Sequence, residues 1–418
     1  MKRRNFILKT AGVTAASLSY SQLYARIQKE IESTTDQKKY DVIVLGVGSM
    51  GASTCYHLAK KGFKVLGLEQ FDIPHEQGSH TGQSRIIRKA YGEASDYVPL
   101  LERAYENWKT LESETGSQVY YSTGLVYFGA VNDPFLDTVK QSSVKYKIPV
   151  NKLSPEESNH KYPQFKIPAN FQILEEPDAG FLTPERSILL FVEQAIFKGA
   201  VIRTKEKVLE WKCVKGIVTV KTDRGTYQAN KLVITAGPWA GKMMPAFAPK
   251  LKITRQALAW VKPKNWDNFI LGKFPCWILE DNEYDFYGFP ILPVGKFGGP
   301  IGLKLGLHYP KGDVTDPDAV NRSTKESDEN VLIQFLNQFI PDGYENTLAM
   351  KTCLYTNTPD QNFILDYLPG FDKDVAIATG FSGHGFKFAS VIGEIMADLA
   401  IIGSTHMPID FLNAQRFG

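Results

Sequence analysis

The stretch "YDVIVLGVGSMGASTCYHLAKKGFKVLGLEQ", Tyr40 to Gln70, constrains the fold more than any other part of the chain. Val42 to Leu45 is a short unbroken apolar run, the pattern of a strand buried in a parallel sheet. Gly46, Gly48 and Gly51 follow as G-x-G-x-x-G, with Ser49 and Met50 between the last two. A helix is expected through Leu58 and Ala59, then a second strand from Lys64 to Leu68 that ends at Glu69. Strand, glycine turn, helix and strand in this order make a dinucleotide-binding unit. The glycines allow a tight turn and a close backbone approach to a pyrophosphate, which sits at the positive end of the helix. Glu69 stands where an acid bonds a ribose hydroxyl, and its charge disfavours the 2′-phosphate of NADP.

Other nucleotide-type pieces lie far away in sequence. "VLEWKCVKGIVTVKTDRGTYQANKLVITAG" is a β-meander with Asp223-Arg224-Gly225 as a hairpin turn. It runs into a buried strand, Leu232 to Thr235, whose Ala236-Gly237 ending returns the backbone to the nucleotide. The chain closes with "VAIATGFSGHGFKFASVIGEIMADLAIIG": strand, Gly-rich loop, long helix. Between these pieces "YVPLLERAYENWKTLESETG" is an amphipathic helix, and "LTPERSILLFVEQAIFKGA" is a helix with a Thr-Pro start. A second β-rich block covers roughly 252–310, with a helix near 326–340 after it.

The expected class is α/β: a Rossmann-like FAD-binding domain interleaved with an α+β substrate domain carrying a large mixed sheet. The boundaries read as 40–120, 175–250 and 345–418 for the first, and 121–174 and 251–344 for the second. An NAD dehydrogenase usually keeps its fingerprint domain contiguous. A fingerprint at the start and a second glycine-rich closure at the end favour FAD instead.

The net charge of +3 is small and spread out, so the chain has no electrostatic footprint for nucleic acid. Arg3 and Arg4 precede a weakly apolar run too short and polar to span a bilayer, the pattern of a Tat export signal. Residues 1–25 are read as that signal, cleaved after Ala25, and 26–39 as a polar linker. This implies the Tat export machinery as a partner and a soluble periplasmic or otherwise exported protein. Export of folded protein also fits a cofactor inserted beforehand. The cysteines at 55, 213, 276 and 353 show no CxxC spacing, so no metal site is expected. A chain this long needs no disulfide staples, and none are expected. With no G-x-S-x-G and no HExxH, hydrolase and metalloenzyme readings find no support.

Three stretches carry unusual charge. "GSHTGQSRIIRKAYGE" places Ser79, Arg85 and Arg88 just after the first βαβ unit. If Ser84 onward is helical, the two arginines share a face and suit an anionic substrate or a pyrophosphate. In "GFSGHGFKFAS", Gly383 and Gly385 open a loop before a helix starting near Phe386. Lys387 then sits in the first turn, where the helix dipole disfavours a cation unless an anionic ligand is present. In "IGLKLGLHYP", Lys304 and His308 share one face of an apolar strand, and an inward lysine is costly unless paired or working. Cys353, in "KTCLYTNTPD", has several open roles at this point: buried filler, disulfide half, nucleophile or cofactor anchor.

Taken in order, "YDVIVLGVGSMG", "GSHTGQSRIIRKAYGE", "YGFP", "GLKLG", "CLYTNTPDQNFILD" and "GFSGHGFKFAS" resemble monomeric sarcosine oxidase and N-methyltryptophan oxidase, among the D-amino-acid-oxidase-like flavoproteins. The resemblance runs from about Tyr40 to the C-terminus. It implies FAD bonded covalently through Cys353, and a substrate carboxylate held by Arg88 and Lys387. It implies that Lys304 promotes oxygen reduction, that Arg85 raises positive potential beside the flavin, and that His308, Tyr287 and Tyr355 line the cavity. The implied reaction is hydride-equivalent transfer from the N-methyl carbon of a secondary amino acid, giving formaldehyde, a primary amino acid and hydrogen peroxide, by a protein expected to be monomeric. Competing readings are a flavin amine dehydrogenase, a fructosyl-amino-acid or imino-acid oxidase, and a non-catalytic exported FAD-binding protein.

Two departures from that pattern stand out. The family commonly shows "GSHHGDTR"; here Thr81 and Gln83 replace its second histidine and its aspartate. "ILPVGKFGGPI", between "YGFP" and "GLKLG", is longer than expected, with the expectation that it reshapes the substrate entrance.

Overall fold

The apolar run at Tyr40 becomes the Lys39–Leu45 strand at the centre of an eight-stranded sheet. This and all that follows come from a computed structural model, which describes residues 20–33, 39–280, 285–308 and 312–417. The strand pairs in parallel with Val65–Leu68 on one side and with Thr226–Ile234 on the other. Val201–Arg203 extends the sheet beyond the first, and Val375–Thr379 joins the end of the second. Burial on both faces explains the unbroken apolar runs: Val42, Ile43 and Val44 are all fully buried. Helices Ser49–Lys60, Pro184–Phe197 and Ala389–Ile402 pack together on this body. Pro184 stands at the first turn of its helix, as the Thr-Pro pair implies.

The second sheet also has eight strands. From one edge they are Asn346–Asn357, Lys252–Lys262, Leu303–His308, Asp285–Phe289, Cys276–Glu280, Leu125–Ala130, Phe171–Glu176 and Asn151–Leu153. Strand alternation divides its residues between two faces. Trp277, Leu279, Phe286, Leu303 and Leu305 pack with Phe335 and Leu336 of the Glu326–Phe339 helix. Ile278, Tyr287, Trp260, Cys353 and Tyr355 face the other way, toward the nucleotide-type sheet. Phe286 and Phe335 stack with centroids 4.1 Å apart, and Trp277 stacks on the same ring at 5.2 Å. That layer fixes the strands from behind.

The interleaving is real, but several boundaries move. The strand carrying Cys353 pairs along its length with Lys252–Lys262, so the second sheet keeps the chain through Asn357, past the expected cut at 345. The Phe171–Glu176 strand likewise crosses the expected cut at 174. Residues 26–33, expected as linker, instead belong to a helix, Tyr20–Ser33. Its Leu23 and Ile27 are buried in the core, and Gln28 Nε2 donates to Ile73 O at 2.9 Å. Spacing of four puts those two side chains on one face, a pattern its many polar neighbours obscure. The twin arginine lies outside the described residues, and the expected cleavage point after Ala25 falls inside this helix.

Ser84 onward is not helical. Arg85–Ile87 is a short strand paired with Gly180–Leu182, whose other neighbour is Tyr120–Ser122. Two consecutive β-branched isoleucines favour this over a helix start. All four cysteines are unpaired. No helix among the described residues is long and apolar enough to cross a membrane.

Candidate active site

The glycine turn is built by backbone crowding. Gly46 has φ +89°, and a Cβ there would meet Thr235 O at 2.7 Å. A Cβ on Gly51 would lie 1.8 Å from Gly46 O, so Gly51 serves close helix–strand packing. A Cβ on Gly48 would meet nothing within 4 Å, because that position opens onto a cavity of about 380 Å³. The walls include Gly46, Ser49, Met50, Glu69, Ser79, Arg85, Ala236, Gly237, Gly383, Gly385 and Phe386, gathered from both ends and the middle of the chain. Glu69 accepts from Val47 N and Phe71 N, both at 3.0 Å. Burial raises its carboxyl to about 7, against those amide hydrogen bonds.

FAD suits this cavity. Three buried polar atoms on its wall, His80 Nε2, Thr356 Oγ1 and Thr379 Oγ1, have no partner in the protein. A buried polar group without a partner is costly, so such atoms call for a polar ligand. Gly48 leaves room for a close-approaching phosphate, and Glu69 faces the cavity where a ribose hydroxyl would sit.

A second cavity, of about 240 Å³, shares Arg85, Tyr355, Gly383 and Phe386 with the first. It gathers Arg88, Lys387, His308, Tyr287 and Cys353, predicted separately from five stretches of sequence. Thus Cys353 and Lys387, expected among cofactor contacts, line this cavity and not the first. Arg88 is 3% exposed. Its Nη2 donates to both Glu93 carboxylate oxygens, at 2.7 and 2.8 Å, while its Nε has no partner. Lys387 Nζ donates to His384 O at 2.8 Å. Burial and nearby Arg88 lower its ammonium to about 7, against the pull of Glu93. His384 donates from Nε2 to Gln361 O at 3.0 Å, which leaves Nδ1 to accept from Tyr91 Oη at 2.6 Å. Burial holds that imidazole down to about 3, so it is neutral.

Lys304 lies behind the cavity wall, 1% exposed. Its Nζ donates to Ser84 O at 2.6 Å, to Ser84 Oγ at 3.1 Å and to Gly82 O. It sits 4.4 Å from the Phe289 ring centroid. Burial and Arg85 push its ammonium well below the usual range. Cys353 is 2% exposed. Burial raises its thiol, while Arg85, Lys304 and Arg322 pull it back.

The long "ILPVGKFGGPI" connection does not touch the second cavity. Phe297 packs on Tyr121 and Phe181, and Gly298 O accepts from Gln83 Nε2. Gln83 Oε1 in turn accepts from Trp260 Nε1 at 3.1 Å. The connection joins the strands at their Phe289–Leu303 end, whereas His308 and Asp285 mark the other end. Sequence reasoning missed Glu93, His384, Glu280 and Asp285, all on the second cavity. Glu93 lay inside a quoted motif, and its spacing from Arg88 was the available signal. No group of three His, Cys, Asp or Glu side chains among the described residues is arranged for a metal ion.

Comparison with known proteins shows the family of the chain. A family model described as "FAD dependent oxidoreductase" matches residues 41–399. The chain is 36% identical over 387 residues to the monomeric sarcosine oxidase of Arthrobacter sp. (strain TE1826), covering 91% of this chain and 97% of that protein. It is 35% identical over 373 residues to peroxisomal sarcosine oxidase of Homo sapiens, covering 87% and 92% of the two chains. It is 34% identical over 381 residues to N-methyl-L-tryptophan oxidase of Salmonella dublin, covering 91% and 99%. Among solved structures, the open form of NikD, an unusual amino acid oxidase essential for nikkomycin biosynthesis, superposes with a TM-score of 0.77 at 24% identity, covering 90% of this chain and 98% of that one, a likeness of fold.

Proposed function

The chain belongs to the FAD-dependent oxidoreductase family, and from that premise we propose that it oxidises N-methyl and other secondary amino acids, as the names of its sarcosine and N-methyltryptophan oxidase relatives suggest. The carrying observation is a cavity beside the cofactor cavity that presents two buried cations, Arg88 and Lys387, to an anionic ligand group. FAD, when bound in the first cavity, would supply a two-electron acceptor for a hydride equivalent from the N-methyl carbon, with oxygen as the final acceptor.

The chain's own residues do the rest. Arg88 and Lys387 hold the carboxylate and so fix the amine's position. Arg88, Lys387 and Arg85 together disfavour an ammonium nearby, which favours the free-base amine that hydride loss requires. Tyr287, Tyr355 and His308 line the cavity around the position the methyl group would take. The imine product hydrolyses to formaldehyde and a primary amino acid. Lys304 supports the oxidase reading over a dehydrogenase, because a buried cation stabilises charge developing on oxygen.

Covalent attachment through Cys353 is part of this proposal. Burial raises the thiol, Arg85, Lys304 and Arg322 pull it back toward the thiolate, and it lines the second cavity beside Tyr355, which both cavities share. Tat export led by Arg3 and Arg4 is also proposed. Replacing both arginines by lysine should move the flavoprotein from the periplasm to the cytoplasm, and unchanged fractionation would refute it.

The direct test is anaerobic bleaching of the protein-bound flavin by sarcosine, N-methyltryptophan, proline, pipecolate and fructosyl-glycine. Fast bleaching by an N-methyl amino acid, followed by peroxide on admitting air, is expected. Bleaching by none of them would overturn the reading.

A further inference from the structure

The second cavity holds a feature that a carboxylate clamp leaves unexplained. Glu280 and Asp285 are cross-strand neighbours, and both line the cavity. Asp285 also faces His308 across the next strand pair. Burial holds the Glu280 carboxyl well above the usual carboxylate range, and its hydrogen bond with Asp285 acts in the same direction. Two adjacent carboxyl groups thus face one cavity from neighbouring strands. No lysine or arginine among the described residues pairs with either.

The cavity is thus polarised. One wall carries Arg88, whose Nη2 is paired with Glu93 but whose buried Nε is unpartnered, and Lys387. The acid pair lies at the outer end of the sheet face. Between them run apolar surfaces from Phe135, Ile278 and Tyr287. Asp285 stands two residues outward from Tyr287, and Glu280 two outward from Ile278, a step of about 7 Å along each strand. The volume of about 240 Å³ approaches the lower end of pockets that enclose drug-sized ligands, roughly 300–1,000 Å³.

We propose that the preferred substrate is a secondary amino acid with a basic side chain, its carboxylate on Arg88 and Lys387 and its distal ammonium or guanidinium group on Glu280 and Asp285. The inference rests on the secondary-amine oxidation above and adds no chemical step to it. A neutral side chain of equal length leaves the acid pair buried without a counter-charge, and an acidic one meets like charge. Both are ways of rejecting competitors.

The test compares Nα-methyl-lysine, N-methyl-norleucine and N-methyl-glutamate on the holoenzyme, by anaerobic flavin bleaching and by kcat/KM. The lysine compound should exceed the norleucine compound by about tenfold or more, mostly through KM. In Asp285→Asn and Glu280→Gln that ratio should fall toward one, with the visible flavin spectrum as the check on folding. If norleucine bleaches the flavin as fast as lysine does, the inference is overturned while secondary-amine oxidation stands. The same holds if both substituted proteins keep the wild-type ratio. If none of the three bleaches the flavin, the oxidation reading itself fails and takes the inference with it. Should a variant lose its flavin, the wild-type ratio alone decides.

Discussion

Arg85 and Lys304 donate to the same carbonyl oxygen: Ser84 O lies 2.9 Å from Arg85 Nη1 and 2.6 Å from Lys304 Nζ. Two cations on one carbonyl repel each other, and burial adds to the cost. The site keeps both because Gly82 O, Thr81 O and Ser79 O accept as well. Their positive potential falls where the two cavities meet, since Arg85 lines both.

Lys304→Met therefore separates the two half-reactions. Flavin reduction by substrate under anaerobic conditions should persist within a few-fold. Reoxidation by oxygen, followed by stopped-flow absorbance, should slow by about 10²–10³-fold, the scale of removing one preorganised charge. Unchanged reoxidation would remove Lys304 from the oxygen step.

Substrate binding should weaken as pH rises through about 7. Burial and Arg88 place the Lys387 ammonium at about 7, so the empty site holds it charged below that pH and neutral above. A carboxylate ligand favours the charged form, so KM should climb by up to about tenfold per pH unit above 7 while kcat stays flatter. Lys387→Met should give a high KM that no longer depends on pH in this window. A wild-type KM flat from pH 6 to 9 would show that Lys387 does not titrate there.

Acid precipitation tests the role proposed for Cys353. Flavin should stay with the pellet in the wild-type protein and appear in the supernatant of Cys353→Ser. Serine keeps the size of the buried side chain, so the fold and the free cavity survive the change. Free flavin from the wild-type protein would leave Cys353 a buried thiol.

The nucleotide-type half of this molecule was legible because its constraints are local. A strand buried on both faces, a turn that only glycine fits and a helix start occupy one contiguous stretch, so Gly46, Gly48 and Glu69 could be read in place. The second cavity was legible by resemblance, residue by residue, for Arg88, Lys387 and Cys353. What escaped depends on pairing across distance. Glu280 and Asp285 look like solvated hairpin acids until register sets them opposite each other, with His308 opposite Asp285, and both line the cavity. The Tyr20–Ser33 helix looked like linker because two buried side chains among many polar ones give too weak a period. Arg85 and Arg88 suggested a helical face because charge spacing was weighed above the β-branched pair between them.

Two glycines three residues apart should fail in different ways. Gly51→Ala places a methyl 1.8 Å from Gly46 O, against backbone that cannot yield without moving the strand end. It should lower the stability of the apoprotein and abolish FAD binding together. Gly48 has φ −76°, a value any residue adopts, and its Cβ would point into open cavity. Gly48→Ala should leave apoprotein unfolding in denaturant within about 0.5 kcal/mol of wild type, the range of an unconstrained substitution. It should still weaken FAD binding sharply, because the methyl occupies space the phosphates need. Denaturant titration of the apoproteins and flavin content after purification read the two effects separately. If Gly48→Ala binds FAD normally, the phosphates do not approach this backbone, and the cavity holds the cofactor in another way.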